Sequence, residues 1–477
     1  MTVETLEFGQ SVVGLLVDGV EGTAYTGATL HMEEPQGVVV EVPYIHRGDT
    51  EQFRHVDGWF ETQTPPRNMK LLTHKGAVCL YDVEWRGHSV SIGVSLGKLA
   101  PSETLLGRRD APLHEPLTVT EVYSHLDGLR EWTSFTGLHT DPEADANGLA
   151  TGLHVYVRSG EGASWQQGEA TLNFATDWRT ERPEENGNGG LNITDASVLV
   201  SKFHTARPFT DHLAEQRKVV QLLVLVAGAP ISFRRHRVAD DTIVIRSLGG
   251  SVMSHPRTDL LSAQTVRDYA QPLPTKQELG DLLTRFPDVG TDGMARWAEQ
   301  YETWKRFILP AVGVLGRRQA FAEDLIVSTS MSIEAAGQIV GEREGETATY
   351  GRGGKPSTAT YVYRCLNVLD LEWGDIAPNT IAISRAVANT YNTIKHFDKG
   401  EFPDTSVSHI VSTITKYIVR LLALHIVEPS GALLTEWRTP NAMWRVRRLL
   451  EVYKVSINEQ GGFVVSRAEG DALDAEQ

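Results

Sequence analysis

The chain has 477 residues, of which 22% are charged and 41% hydrophobic, the balance of packed globular domains, which argues against wholesale disorder and against a membrane protein. At roughly 150 residues per domain, about two to four packed units are expected. The formal net charge of −16 speaks against nucleic acid as a partner of the whole surface, yet it is unevenly spread: residues 1–290 carry 25 basic and 38 acidic side chains (net −13), residues 291–460 carry 19 of each, and the tail from 461 carries one and four (net −3).

Two cysteines, Cys79 and Cys365, provide neither a disulfide framework nor a four-ligand zinc site. No metal and no other cofactor is expected. The longest apolar run, Val219 to Phe233, is broken by Gly228 and Pro230 and is shorter than the about 20 residues of a spanning helix. The start, MTVETLEFGQS, has no basic and apolar leader. A cytoplasmic protein without a membrane partner is the expectation.

From Met1 to about Val200, short β-branched and aromatic runs such as GVVVEVPY (37–44), HSVSIGVSL (88–96) and LHVYVR (153–158) alternate with turn residues. This predicts antiparallel sheet, in a sandwich or barrel-like unit. Thr140 to Gly148 and Glu184 to Asn192 read as surface loops. Phe209 to Ala227 has Asp211 near its start, apolar residues at helical spacing and Gly228 as a stop, and predicts a helix packed on the sheet. Ile231 to Ser247 returns to strand.

Beyond Thr275 the periods are helical: Leu279–Phe286, Gly293–Leu315, Ala320–Val340, Thr360–Leu371, Ile381–His396, Ser406–Ile426 and Asn441–Tyr453. Glu342 to Ser357 reads as a long charged, glycine-rich loop. The resulting fold class is α+β and multidomain: a mainly antiparallel β domain over 1–250, a connector over 251–290, a helical domain over 291–460 and an acidic tail over 461–477.

The chemistry concentrates in Ile381 to Phe402. At 100° per residue, Arg385, Asn389, Asn392 and His396 fall on one narrow stripe, opposite Ile383, Val387 and Ile394. Exposed helix faces ordinarily carry Glu and Lys, and Asn is a poor interior helix residue, so this choice points to a use for the amides and the imidazole. The run Tyr391-Asn392-Thr393-Ile394-Lys395-His396-Phe397 resembles the signature of HEPN domains, helical bundles marked by an Arg, a following polar residue and a nearby His. The run FHTARPFTDHLAEQRKVVQLLVLVAGAPISF (203–233) is similar to the domain that precedes HEPN in ApeA-like anti-phage abortive-infection proteins.

That resemblance implies metal-independent RNA cleavage in a homodimer, with a phage-derived trigger acting through the amino-terminal domain. His396 would move protons as the ribose 2′-hydroxyl attacks phosphate, and Asn392 would orient or bind phosphate; an imidazole in this role is worth about 10² to 10⁴ in rate. The signature Arg is Tyr391 here, which lacks the guanidinium charge and fork. Arg385 and Lys395 are the candidate replacements, although Arg385 lies about 16 Å along the axis from His396, so that only a partner chain could bring it close. The alternative is a non-catalytic HEPN module that supplies dimerisation only.

Weaker candidates follow. Arg352, Lys355 and Lys399 could touch RNA. The GRGGK run at 351–355 lacks the length and Ser or Thr of a phosphate loop. The cluster Arg234, Arg235, His236 and Arg237 is either a guide for RNA or a phage component or a strand end neutralised by Asp240 and Asp241, and HTDPEAD (139–145) is a polar loop in preference to a metal site. His409 is a secondary candidate.

Overall fold

A computed structural model describes residues 6–46, 51–158, 162–181, 191–247, 249–396, 398 and 401–465. It divides into two compact units, one of residues 1–217 with 232–273 and one of residues 218–231 with 274–477. The α+β layout expected from the sequence is what the chain adopts.

The first unit opens with β1 (Ser11–Val17), β2 (Thr26–Glu33), β3 (Gly37–Tyr44), α1 (Glu51–Glu61), β4 (Met69–Thr73), β5 (Gly76–Ser89), β6 (Ser95–Leu105), β7 (Thr118–Leu126) and α2 (Leu129–Thr133). It continues with β8 (Leu138–Ala144), β9 (Ala150–Val157), β10 (Ala163–Gln167), β11 (Ala170–Glu181), β12 (Asn192–Pro208), the start of α3 (Phe209–Ala227), β13 (Phe233–Ala239), β14 (Ile245–Arg246), β15 (Val252–Ser254) and β16 (Thr258–Ser262). Twelve strands form one antiparallel sheet, ordered β10-β11-β12-β7-β13-β16-β6-β3-β2-β1-β4-β5. Because β5 also pairs with β6, the six strands from β6 to β5 close into a barrel.

Period-two alternation sets the barrel's inside. Leu16, Leu30, Val40, Val42, Leu71 and Leu80 are buried there, and pairings such as Val40 with Leu99 fix which face points in. The sequence reading has no α1, but Phe53, Val56 and Phe60 fall on one helical face, and Val56 and Phe60 are fully buried against the barrel core. The Phe60 ring occupies the place of a side chain at position 97: a Cβ there would lie 2.0 Å from it, so Gly97 is required.

The predicted helix over 209–227 forms as α3. Its first half is sealed to the sheet by buried polar groups. Gln216 accepts from the Ser124 hydroxyl at 2.5 Å and donates to the Val122 carbonyl at 3.1 Å. With Ser124 donating to Gln216, His236 Nδ1 donates to Ser124 at 2.7 Å, and Nε2 accepts from Thr265 at 2.9 Å. This neutral tautomer agrees with a pKa that burial lowers to about 3.

Two expectations are corrected in this unit. The connector expected over 251–290 begins inside the sheet, since β16 pairs with β13 and β6 and buries Leu260. Of the loop expected over 140–148, residues 140–144 belong to β8, whose register with β9 supplies the hydrogen bonds that a Pro- and Asp-containing segment does not announce. The loop expected over 184–192 falls almost entirely outside the described residues.

The second unit holds α4 (Lys276–Gly280), α5 (Phe286–Leu315), α6 (Ala322–Val340), α7 (Thr358–Leu369), α8 (Thr380–Lys395), α9 (Thr405–Val427), α10 (Trp444–Tyr453) and a hairpin of β17 (Val455–Ile457) and β18 (Phe463–Val465). The helix expected over 279–286 is instead α4, because Thr275 and Glu278 form a capping box that starts it earlier. α5 contains a break at Gly290, which has φ 64. α9 is long and apolar enough to cross a membrane, but 78% of its apolar window is buried inside the unit, as expected of the central helix of a bundle. Of the acidic tail expected over 461–477, residues 463–465 form β18 by pairing with β17, and those from 466 lie outside the described residues.

Candidate active site

α8 begins where the Asn379 side chain accepts from the Ala382 backbone N–H at 2.9 Å. Its packed face is made of small and branched residues, Ala382, Ile383, Ala386 and Val387, all fully buried. Tyr391 continues this face and is 1% exposed. The residue that the resemblance set in the place of the signature Arg is therefore a core side chain. At six residues from Arg385 it is turned about 240° around the helix, well off the polar stripe. Lys395 lies over it, with its ammonium 5.2 Å from the ring centroid.

The stripe itself is divided. Arg385 donates to the Glu459 carbonyl at 3.1 Å and to the Ala348 carbonyl at 2.8 Å, and Asn389 reaches the Gln460 carbonyl at 3.5 Å. The turn between β17 and β18 thus lies on the first half of the stripe. It presses close: a Cβ on Gly461, which has φ +75, would be 2.4 Å from the Ala386 nitrogen. Arg385 is a clamp between two backbone segments, and the structure does not bring it to His396.

Ala348 is in place because the segment expected to be a loose loop over 342–357 is anchored. A 3-10 turn, Glu346–Thr349, buries Glu346 against Arg364 through two hydrogen bonds of 2.7 Å. Glu346 also accepts from the Tyr350 hydroxyl and the Arg343 backbone N–H, both at 2.9 Å. The Arg364 guanidinium, with these donors, holds the Glu346 carboxyl down at about 2. Sequence reading missed this pair because its members stand 18 residues apart in unlike segments.

At the far end of α8, Asn392 and His396 are half-buried, one turn apart. His396 caps the helix in an extended conformation (φ −121, ψ 94), and its backbone N–H donates to the Asn392 carbonyl at 3.0 Å. The helix end therefore offers an amide, an imidazole and the exposed Lys395 ammonium. Arg352 and Lys355 are exposed on a turn closed by the Gly351 N–H to the Lys355 carbonyl at 2.9 Å. Lys399 and Phe397 lie outside the described residues. On α9, His409 contacts the Tyr453 hydroxyl at 3.0 Å.

The other clusters are tied up. Arg234 forms a forked pair with Asp127 (2.7 and 2.6 Å) and Arg235 with Asp259 (2.9 and 2.5 Å), while Arg237 meets Asp177 at 2.7 Å. The neutralising residues are thus not Asp240 and Asp241; Asp240 accepts from the Thr242 hydroxyl and backbone. In the 139–145 segment, Glu143 pairs with His154 of β9 at 2.6 Å. Elsewhere, His31, Glu33 and Glu41 gather on β2 and β3, with Glu41 also 2.9 Å from Lys98.

A twelve-strand sheet with a closed barrel, followed in sequence by a set of helices, defines the class: a two-part α+β protein. The family described as ApeA N-terminal domain 1 matches residues 27–297, more than half of the chain. The chain belongs to this family, and its theme is anti-phage defence of the ApeA type. The match runs from β2 into the first part of α5. No curated protein and no solved structure matches the chain.

Proposed function

We propose that this protein is a cytoplasmic abortive-infection effector whose helical unit is a HEPN domain that cleaves RNA without a metal. It acts as a homodimer, and the family-matched region receives a phage-derived trigger. The observation that carries this reading is the end of α8: on the polar stripe, Arg385 and Asn389 are held by a turn, whereas Asn392 and His396 of the HEPN-like run remain half-buried together at the helix terminus.

His396 would exchange the proton of the attacking 2′-hydroxyl and Asn392 would hold phosphate, with Lys395 as the nearest positive charge in sequence. Within one chain Arg385 is engaged as a clamp and stands apart from this pair. Purified protein incubated with total RNA in EDTA, with and without extract of infected cells, tests the reading. Cleavage that falls at least 100-fold in His396→Ala supports it, and cleavage absent or unchanged in that variant overturns it.

The burial of Tyr391 favours a second reading. A HEPN module whose signature Arg has become a core residue lacks the fixed positive charge that stabilises a phosphorane-like transition state. In that case the bundle dimerises only, and the protein shows a concentration-dependent dimer with no His396-dependent cleavage.

A further inference from the structure

The first unit is strongly acidic, yet it contains a cavity of about 590 Å³ lined, among the described residues, by Lys70, Arg108 and Arg246 and by no carboxylate. We propose that this cavity binds a small phosphorylated ligand of the nucleotide class.

Charge is the first argument. Among the described residues, the carboxylate found against these cations is Asp110, which pairs with Arg246. Arg246, then Arg108 and Lys70, hold its carboxyl below its usual range, so all three cations act on one exposed anion. Three positive groups around one negative leave an excess of two, and like charges held together favour a multiply charged anion. Arginine forks suit phosphate oxygens in particular.

Rigidity is the second. The segment carrying Arg246 is fastened to the segment carrying Arg108. Arg109 pairs with Ile243 as a β-bridge, the Asp110 N–H donates to the Thr242 carbonyl at 2.7 Å, and the buried Arg109 side chain donates to the Thr242 hydroxyl at 3.2 Å. The cationic groups therefore stand on a preformed wall.

Shape and lining are the third. The volume falls in the range of small-molecule sites, roughly 300–1,000 Å³. Val17, Leu72 and Ile243 give apolar wall, and Ser247 and Thr258 offer hydroxyls. Tyr25 lines the cavity while being 56% exposed, an aromatic face open to a flat ring. Phosphate for the cations and a base for Tyr25 together describe a nucleoside di- or triphosphate.

The full chain would be titrated by calorimetry with ADP, pyrophosphate and adenosine. ADP should bind and weaken as salt rises; Lys70→Ala and Arg108→Ala should each weaken it about tenfold, with Arg108→Lys restoring part of the loss. Tyr25→Ala should weaken ADP about tenfold and leave pyrophosphate unchanged. Circular dichroism confirms that each variant is folded. The proposal is overturned if ADP does not bind, if the Lys70→Ala/Arg108→Ala double variant binds it as well as the parent, or if adenosine binds as tightly as ADP. Pyrophosphate binding without ADP binding overturns the nucleotide class. None of these outcomes depends on RNA cleavage by the other unit.

Discussion

Replacing Arg385 with alanine separates a structural role from a catalytic one. In the structure its guanidinium makes two hydrogen bonds to backbone carbonyls, 2.8 and 3.1 Å long, from a half-buried position. Each is worth about 0.5–1.5 kcal/mol net, and partial exposure keeps the sum near 1–2 kcal/mol. For a unit of this size that corresponds to a melting temperature lower by roughly 3–6 °C. Hydrogen exchange should localise the loss to the β17–β18 hairpin and to the 3-10 turn at Glu346–Thr349, the two segments the side chain joins. RNA cleavage measured well below the transition should change less than threefold. If Arg385→Ala instead loses 100-fold in cleavage while melting and exchange stay as in the parent, the clamp assignment is refuted and the residue belongs to the reaction.

Three further outcomes follow from the packing. Glu346→Ala leaves Arg364 buried without its partner, so the helical unit should lose about 3–5 kcal/mol in denaturant unfolding, whereas the double change Glu346→Leu/Arg364→Met should recover much of it. Glu103, buried on β6 next to the Asp82 charge, has its pKa pushed up to about 7 by desolvation first and Asp82 second. Because this lies above the ordinary value of 4.5, its contribution is full below about pH 4.5 and is lost as pH rises to about 7. The loss amounts to about 3 kcal/mol at most, and Glu103→Gln should flatten that slope in chemical denaturation. Phe60→Ala should cost about 3–5 kcal/mol, and Gly97→Ala should be far less damaging in that background than alone, which a double-mutant cycle measures directly.

Much of the fold could be read from local pattern. α6, α7 and α9 begin and end within about three residues of their apolar periods because each has a strong buried face, and the β-rich half alternates as a half-buried sheet should. What escaped reading depends on distant partners. The β8 segment contains Pro and Asp and becomes strand only through β9. The 342–357 stretch looks fluid until Glu346 meets Arg364. For the candidate site, the stripe of α8 was legible from angle alone, whereas Tyr391, read as a site candidate, proved to be a core side chain. The division of that stripe was not, since Gly461 and the carbonyls of Glu459 and Gln460 arrive from more than 70 residues away.

The closed barrel also bears on how such a chain behaves at high concentration. A sheet of twelve strands laid flat would expose two rows of unpaired peptide groups, each a template for another molecule's strand. Here one end of the strand order folds back on itself through β5 and β6, so the outermost strand of the other end, β10, is left as the terminal edge. It is five residues long and ends in two glutamines. At this end of the twelve-strand sheet an added strand would meet a five-residue edge over β10, and a single charged substitution there, Gln166→Lys, should weaken such pairing without touching the barrel or the helical unit.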